Sequence, residues 1–125
     1  MASELEPCAG QRVAGLKKRQ DYVRVQRAGR RRHRNTVSLL ILPGRLPLAR
    51  LGLTVSARVG KAIVRNRVKR RLRAIARERS SLLEAGIDYV VIAQPRAAQA
   101  SYRDLDGDLT FLLAQAAAGW PRASR

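Results

Sequence analysis

Val59 to Glu78 reads VGKAIVRNRVKRRLRAIARE, and the spacing of its residues decides how the rest of the chain is organised. Projected at 100° per residue, Val64, Val68, Leu72 and Ile75 fall within an arc of about 80°, with Ala76 beside them. Arg65, Asn66, Arg67, Lys69, Arg70, Arg73 and Arg77 share the remaining arc. The segment is predicted to be an amphipathic helix entered through Gly60, its narrow apolar stripe on a core and its broad cationic face outward. Arg71 is the exception. It lies about 60° from the stripe centre and has to carry its charge outward along its aliphatic stem. The helix is expected to end between Ser80 and Gly86.

The flanking segments supply a sheet and two more helices. Leu16 to Ala28 carries a weak helical stripe through Leu16, Tyr22 or Val23, and Val25, and stops at Gly29. Arg30 to Arg34 is either a loop or a short edge strand. Thr36–Leu42, β-branched and apolar before Pro43-Gly44, predicts a buried strand. Leu51–Ser56 predicts a second strand, antiparallel to the first across a loop. Ile87–Gln94 is the clearest strand, ended by Pro95. Because the basic helix joins it to Leu51–Ser56, those two strands can run parallel. Ser101 and Asp104 occupy the N-cap and N3 positions of a capping box and open a last helix of about 18 residues through Leu105, Leu109, Leu112, Leu113 and Ala116. The fold class is α+β, an α-β sandwich on a small central mixed sheet with αβββαβα-like order.

The chain has 125 residues and a net charge of +17, which suits one domain with one modest aliphatic core. Residues 15–118 are assigned to that domain, 1–14 to a flexible N-terminal tail and 119–125 to a C-terminal tail. Between Arg12 and Arg79 there are 22 Lys and Arg against Asp21 and Glu78 alone, whereas the remainder after Arg79 is almost neutral. A charge so large and so one-sided calls for a polyanionic partner. Arginine dominates it, as phosphate recognition by a planar donor fork favours. A lone cysteine, Cys8, excludes an internal disulfide and fits a reducing, cytoplasmic setting. The chain shows neither a signal peptide nor a membrane-length apolar run.

Catalysis by side chains is unsupported, since one His and one Cys build no nucleophile–base set. His33 reads first as a member of the basic loop and second as an RNA contact. Asp104, Asp106 and Asp108 are spaced like part of a calcium loop, but no closing Glu follows. They read as acids near a helix N-terminus, where the dipole favours them. The basic helix could be a charged solvated face. A second block of ten cations from Arg12 to Arg34, with hardly an acid interleaved, favours nucleic acid instead. Helix-turn-helix spacing, zinc ligands and the aromatic motifs of RNA-recognition sheets are all missing. Tyr22 is the one aromatic in the basic half placed to stack on a base; it reads equally well as a core-edge aromatic.

At Arg65-Asn66-Arg67, LGLTVSARVGKAIVRNRVKRRLR (Leu51 to Arg73) resembles the bacterial ribonuclease P protein component, whose hallmark is a strand ending in Ser followed by a VGxAVxRNRxKR helix start. LKKRQDYVRVQRAG resembles that family's first helix, and IDYVVIAQPRAAQASY its last strand and the start of its last helix. The likeness covers roughly residues 16 to 115. It implies a left-handed crossover between the parallel strands, against the usual hand. It also implies a role as the protein subunit of a ribonucleoprotein endonuclease that removes the 5′ leader of precursor tRNA. The partners would be the catalytic RNA subunit and precursor tRNA, with no membrane and no obligate protein partner. Catalytic residues would be none in this chain, and Mg2+ would be held mainly by the RNA. A general or ribosome-associated RNA-binding protein is the alternative, and DNA compaction a third.

Carried over onto this sequence, the resemblance implies RNA contacts at Arg65, Asn66 and Arg67, continued by Lys69, Arg70 and Arg73, with Arg58 and Lys61 at the helix entry. It implies a leader cleft between the first helix and the sheet, with Tyr22, Gln26, Val37 and Leu39. Lys17, Lys18, Arg31, Arg32 and Arg34 form the basic N-terminal block. Departures lie at Gln26 and Val37, which replace aromatics, at Ser56-Ala57-Arg58, which replaces Ser-Lys-Lys, and at Arg71, where the family is usually apolar. They shift weight from base stacking to phosphate contacts.

Overall fold

The computed structural model describes residues 13–119 together with the backbone of Glu4 and Leu5. Two short strands come first, β1 (Glu4–Leu5) and β2 (Val13–Gly15). Then follow α1 (Arg19–Ala28), β3 (Arg30–His33), β4 (Val37–Pro43), β5 (Ala49–Thr54), α2 (Ala62–Glu78), β6 (Ile87–Ala93) and α3 (Tyr102–Ala117). Short 3₁₀ turns occupy Ser80–Leu82 and Pro95–Gln99. From α1 onward the order is αβββαβα, as the sequence predicts, with the basic Arg30–His33 run resolved as an edge strand.

The six strands form one mixed sheet in the order β1-β2-β5-β6-β4-β3. β6 pairs antiparallel with β4, from Val37 opposite Ala93 to Pro43 opposite Ile87, and parallel with β5, from Arg50 opposite Asp88 to Thr54 opposite Ile92. The two strands joined by α2 are thus parallel neighbours. β4 and β5, consecutive in the chain, are not neighbours, because β6 lies between them. The reason is burial. Ile87–Ala93 is apolar on both faces, and a strand so composed belongs in the middle of a sheet covered on both sides.

Alternation assigns those faces. Val37, Leu39, Leu51, Tyr89, Val91 and Ala93 point into a core completed by α2 and α3. Leu40 and Val90, from the opposite pleat, pack with Leu16 and Val25 under α1. On α2 the predicted stripe is the observed one: Val68, Leu72, Ile75 and Ala76 are fully buried, and each large aliphatic among them contributes roughly 1.5–3 kcal/mol. The capping box of α3 is formed, with Ser101 Oγ accepting from the Asp104 amide at 3.0 Å and Asp104 Oδ2 accepting from the Ser101 amide at 3.2 Å.

Several boundaries differ from expectation: α2 ends at Glu78, short of the expected Ser80 to Gly86, and β5 spans Ala49–Thr54 where Leu51–Ser56 was expected. Val13 and Ala14, counted with the tail, belong to β2, which runs parallel to β5; Val13 is buried in the main core. Leu16, assigned to the first helix, is extended instead. Its amide donates to Leu51 O at 2.9 Å, continuing the β2 ladder, and its side chain is buried beneath α1. A helical stripe and a strand edge both place an apolar residue here, and the ladder to β5 decides. Cys8 and the tail after Gly119 lie outside the described residues.

Candidate nucleic-acid interface

The entry to α2 is a tight turn in which the Val59 amide donates to Ser56 O at 3.0 Å and the Gly60 amide to Ala57 O at 3.2 Å. Gly60 has φ +154°, a conformation that residues with a side chain rarely adopt, and a Cβ there would crowd the Val64 side chain at 3.2 Å, so glycine suits the turn. Val59 is buried and pins this turn, while Arg58 and Lys61 are exposed on either side. α2 has no acid in its first turn. Asn66, Arg70 and Arg73 are exposed and Lys69 is half-buried along one flank. With Arg58 and Lys61 they form a cationic strip that meets no carboxylate among the described residues.

Arg65 and Arg67 do not stand free on that strip, as the projection suggested. Both are half-buried. Arg65 Nε donates to Gly60 O at 3.1 Å, bracing the entry turn. Arg67 Nη2 donates to Ala98 O at 2.9 Å, and its Nε is buried without a partner. Arg71 does carry its charge outward, to Ala100 O at 3.2 Å. A helical wheel gives direction from the axis but not the height of neighbouring backbone, and the Pro95–Gln99 turn rises beside α2 on this side.

On the other face of the sheet Tyr22 lies across Gly52. A Cβ at Gly52 would come within 2.6 Å of the ring. The Tyr22 hydroxyl donates to Leu16 O at 3.0 Å. Burial pushes its pKa up, with the Leu53 backbone and the charge of Arg73 pulling it back. Tyr22 therefore stays protonated and half-buried at the edge of the second core, within the field of the α2 strip. Gln26 is exposed on α1.

Val37 and Leu39 are not cleft residues. Both are fully buried in the core under α2 and α3. The assignment failed by one residue of pleat, since Ser38 and Leu40 are the β4 positions on the α1 face. The cleft that does open at that end of the sheet is polar, about 960 Å³, and lined by Arg31, His33, Asn35, Ser38, Gln94 and Arg96 among others. Gln94 Nε2 donates to Ser38 Oγ at 2.6 Å and closes its floor. Gln94 and Arg96 were missed. Their signal was the end of the clearest strand, where alternation turns Gln94 to the Ser38 side.

The basic N-terminal block divides. Lys17, Lys18 and Arg31 are exposed. Arg32, half-buried, faces the α3 side with Leu39 opposite. Arg34 is held on α3, 3.7 Å from Asp108 and stacked 3.8 Å above the Phe111 ring. Arg24 and Arg50 converge on Asp88, a fully buried carboxylate on β6, and Arg50 also reaches Asp21 at 3.3 Å. Arg79 binds Asp106 at 3.1 Å and Thr110 at 3.0 Å. Much of the arginine excess is thus structural. The acids are consumed with it, because Asp104 caps α3, Asp106 holds Arg79 and Asp108 accepts from Thr36 Oγ1 at 2.6 Å. No cluster of three metal-ligating side chains occurs among the described residues, and no helix there is long and apolar enough to cross a membrane.

Comparison with known proteins gives one answer at three levels. The Ribonuclease P family model matches residues 11–117. The chain is 41% identical to the ribonuclease P protein component of Salinispora tropica, over 88% of this chain and 95% of that one. It is 41% identical to that of Thermobifida fusca, over 78% and 72%. In three dimensions it is similar to the RNase P protein of Thermotoga maritima, with a TM-score of 0.73 at 26% identity over 80% of this chain and 94% of that one. A Staphylococcus aureus RNase P protein mutant gives a TM-score of 0.76 at 26% identity over 82% and 86%.

Proposed function

The chain belongs to the ribonuclease P protein family, and on that premise we propose that it is the protein subunit of a ribonucleoprotein that removes the 5′ leader of precursor tRNA. The observation that carries this reading is the exposed strip of Arg58, Lys61, Asn66, Arg70 and Arg73, set on a helix whose opposite stripe is fully buried. Such a strip docks against a phosphate backbone as a rigid body, and each neutralised phosphate releases counterions. Arg65 and Arg67 brace it and present their remaining donors beside it.

The polar cleft and the exposed flank of α1 receive the single-stranded leader. Tyr22 offers one aromatic surface, and Arg31 and Arg96 offer phosphate contacts; with Gln26 in place of an aromatic, charge outweighs stacking. On this reading catalysis lies with the RNA subunit, and no side chain of the protein takes part in it. The described carboxylates are engaged by arginines or caps, or stand apart from one another, so the Mg2+ that phosphoryl chemistry requires falls to the RNA subunit. Holoenzyme, precursor tRNA and this protein would meet in the cytoplasm, where a lone thiol persists reduced.

Reconstitution tests the proposal. Added to a matching RNA subunit at low Mg2+, the protein is expected to restore cleavage of precursor tRNA and to favour precursor over mature tRNA in binding. Absence of stimulation at every salt concentration overturns it. Equal binding to unrelated structured RNAs would point instead to a general RNA-binding protein.

A further inference from the structure

Arg67 and Arg71 stand one turn apart on α2 and reach the same short piece of backbone, through Ala98 O at 2.9 Å and Ala100 O at 3.2 Å. Those carbonyls belong to the connection between β6 and α3, which runs through the Pro95–Gln99 turn to the Ser101 cap. Ala97, in the middle of the turn, is buried in the main core, and its amide donates to Gln94 O at 2.8 Å. Arg96, one residue earlier, is exposed and lines the polar cleft with Gln94. The connection is therefore tied to the basic helix on one side and forms a wall of the cleft on the other.

Packing alone does not account for this tie. Position 71 borders the apolar stripe of α2, where an aliphatic side chain would continue the core. A guanidinium there gives up part of its hydration for a single carbonyl. What it supplies is direction, because a charged donor on a planar group fixes its acceptor more tightly than dispersion contacts fix a surface.

We propose that Arg71 is a positioning residue that, through Ala100, holds the Pro95–Gln99 turn so that Arg96 faces the cleft. Arg67 reinforces the hold from the preceding turn. The RNA-docking helix and the substrate cleft, on opposite faces of the sheet, are joined mechanically by this clamp. The proposal rests on the reading of the chain as a ribonuclease P protein subunit, and it adds a residue that touches neither RNA nor substrate to the determinants of leader binding.

A double-mutant cycle in the reconstituted holoenzyme tests it, with Arg71→Met, Arg71→Lys, Arg96→Ala and the Arg71→Met/Arg96→Ala double variant. Affinity is measured for precursor tRNA, for mature tRNA and for the RNA subunit. Arg71→Met is expected to weaken precursor binding about five-fold, the scale of one lost charge-assisted hydrogen bond acting indirectly. Binding of mature tRNA and of the RNA subunit stays unchanged. Arg71→Lys restores most of the loss, since an ammonium can donate to the same carbonyl. In the Arg96→Ala background Arg71→Met adds nothing, because the group it positions is gone. A merely structural role would lower thermal stability and act equally in both backgrounds. Unchanged precursor affinity in Arg71→Met, or penalties that add in the double variant, overturns the clamp and leaves the functional reading standing. Wild-type holoenzyme that binds precursor and mature tRNA equally overturns the functional reading itself, and the clamp with it.

Discussion

Arg50 and Asp88 face each other across the parallel strands β5 and β6 in a two-pronged ion pair, Nε to Oδ1 at 2.9 Å and Nη2 to Oδ2 at 2.8 Å. Arg24 of α1 closes on the same carboxylate, and Asp21 takes the remaining reach of Arg50. Two arginines and two aspartates thus cancel at the junction of α1 and the sheet. The hydrogen bonds that Arg50 donates to Asp88 are the main reason its guanidinium holds its proton more tightly than usual.

Asp88→Ala is expected to destabilise the fold by about 3 kcal/mol, because it strands two partly buried guanidinium groups without a counter-charge. Chemical denaturation measures this. Asp88 makes no hydrogen bond or ion pair with the cationic strip on α2, so RNA-subunit affinity of the folded fraction is expected to stay at the wild-type level. A loss below about 1 kcal/mol would show that water can replace the carboxylate.

Arg70 and Arg67 separate binding from bracing. Arg70→Ala is expected to leave the melting temperature unchanged and to lower the slope of log affinity against log salt by about one counterion. Arg67→Ala also removes the bond to Ala98 O, so it lowers RNA affinity and costs about 1 kcal/mol of stability. Salt titration of RNA binding alongside calorimetry checks both. Identical behaviour of the two variants contradicts the assignment.

The two variants also show where the sequence was legible. The apolar stripe at 64, 68, 72 and 75 is a local, periodic signal, and the structure reproduces it. The capping box at Ser101 is equally local. What failed were features that depend on neighbours distant in sequence. The pairing of Asp88 with Arg24 and Arg50 was hidden, because a charge count treats every arginine as available. An aspartate inside the apolar run IDYVVIA was the one hint, since a carboxylate in a central strand needs a partner. Val37 and Leu39 were misassigned because a resemblance places a strand near a cleft without fixing its pleat. β6 took the centre of the sheet through long-range pairing, which no hairpin rule in the chain predicts.

Gly52→Ala tests the seat of Tyr22. The new methyl would lie 2.6 Å from the ring, so the ring has to swing away from the sheet and give up its hydroxyl bond to Leu16 O. A destabilisation of about 1–3 kcal/mol is expected, with weaker leader binding as the ring is displaced. Gly52→Ala combined with Tyr22→Ala should recover part of the stability loss, since the clash is removed. Thermal melts of the single and double variants decide the point.

Tyr89 makes the stability of the fold depend on alkaline pH. Its hydroxyl accepts from the Glu84 amide at 2.7 Å, and burial pushes its pKa up to about 12 from 10.0. The unfolded chain therefore releases this proton at lower pH than the folded protein does. The stabilisation is fully present below pH 10 and is lost as pH rises through 12, amounting to about 2–3 kcal/mol across that window. Tyr89→Phe removes this titration. It costs about 1 kcal/mol at neutral pH for the lost acceptor, but its stability should fall less steeply between pH 10 and 12 than that of the wild type. Denaturation curves at pH 8, 10 and 11.5 measure the two slopes, and parallel slopes would assign the alkaline loss to lysine deprotonation elsewhere.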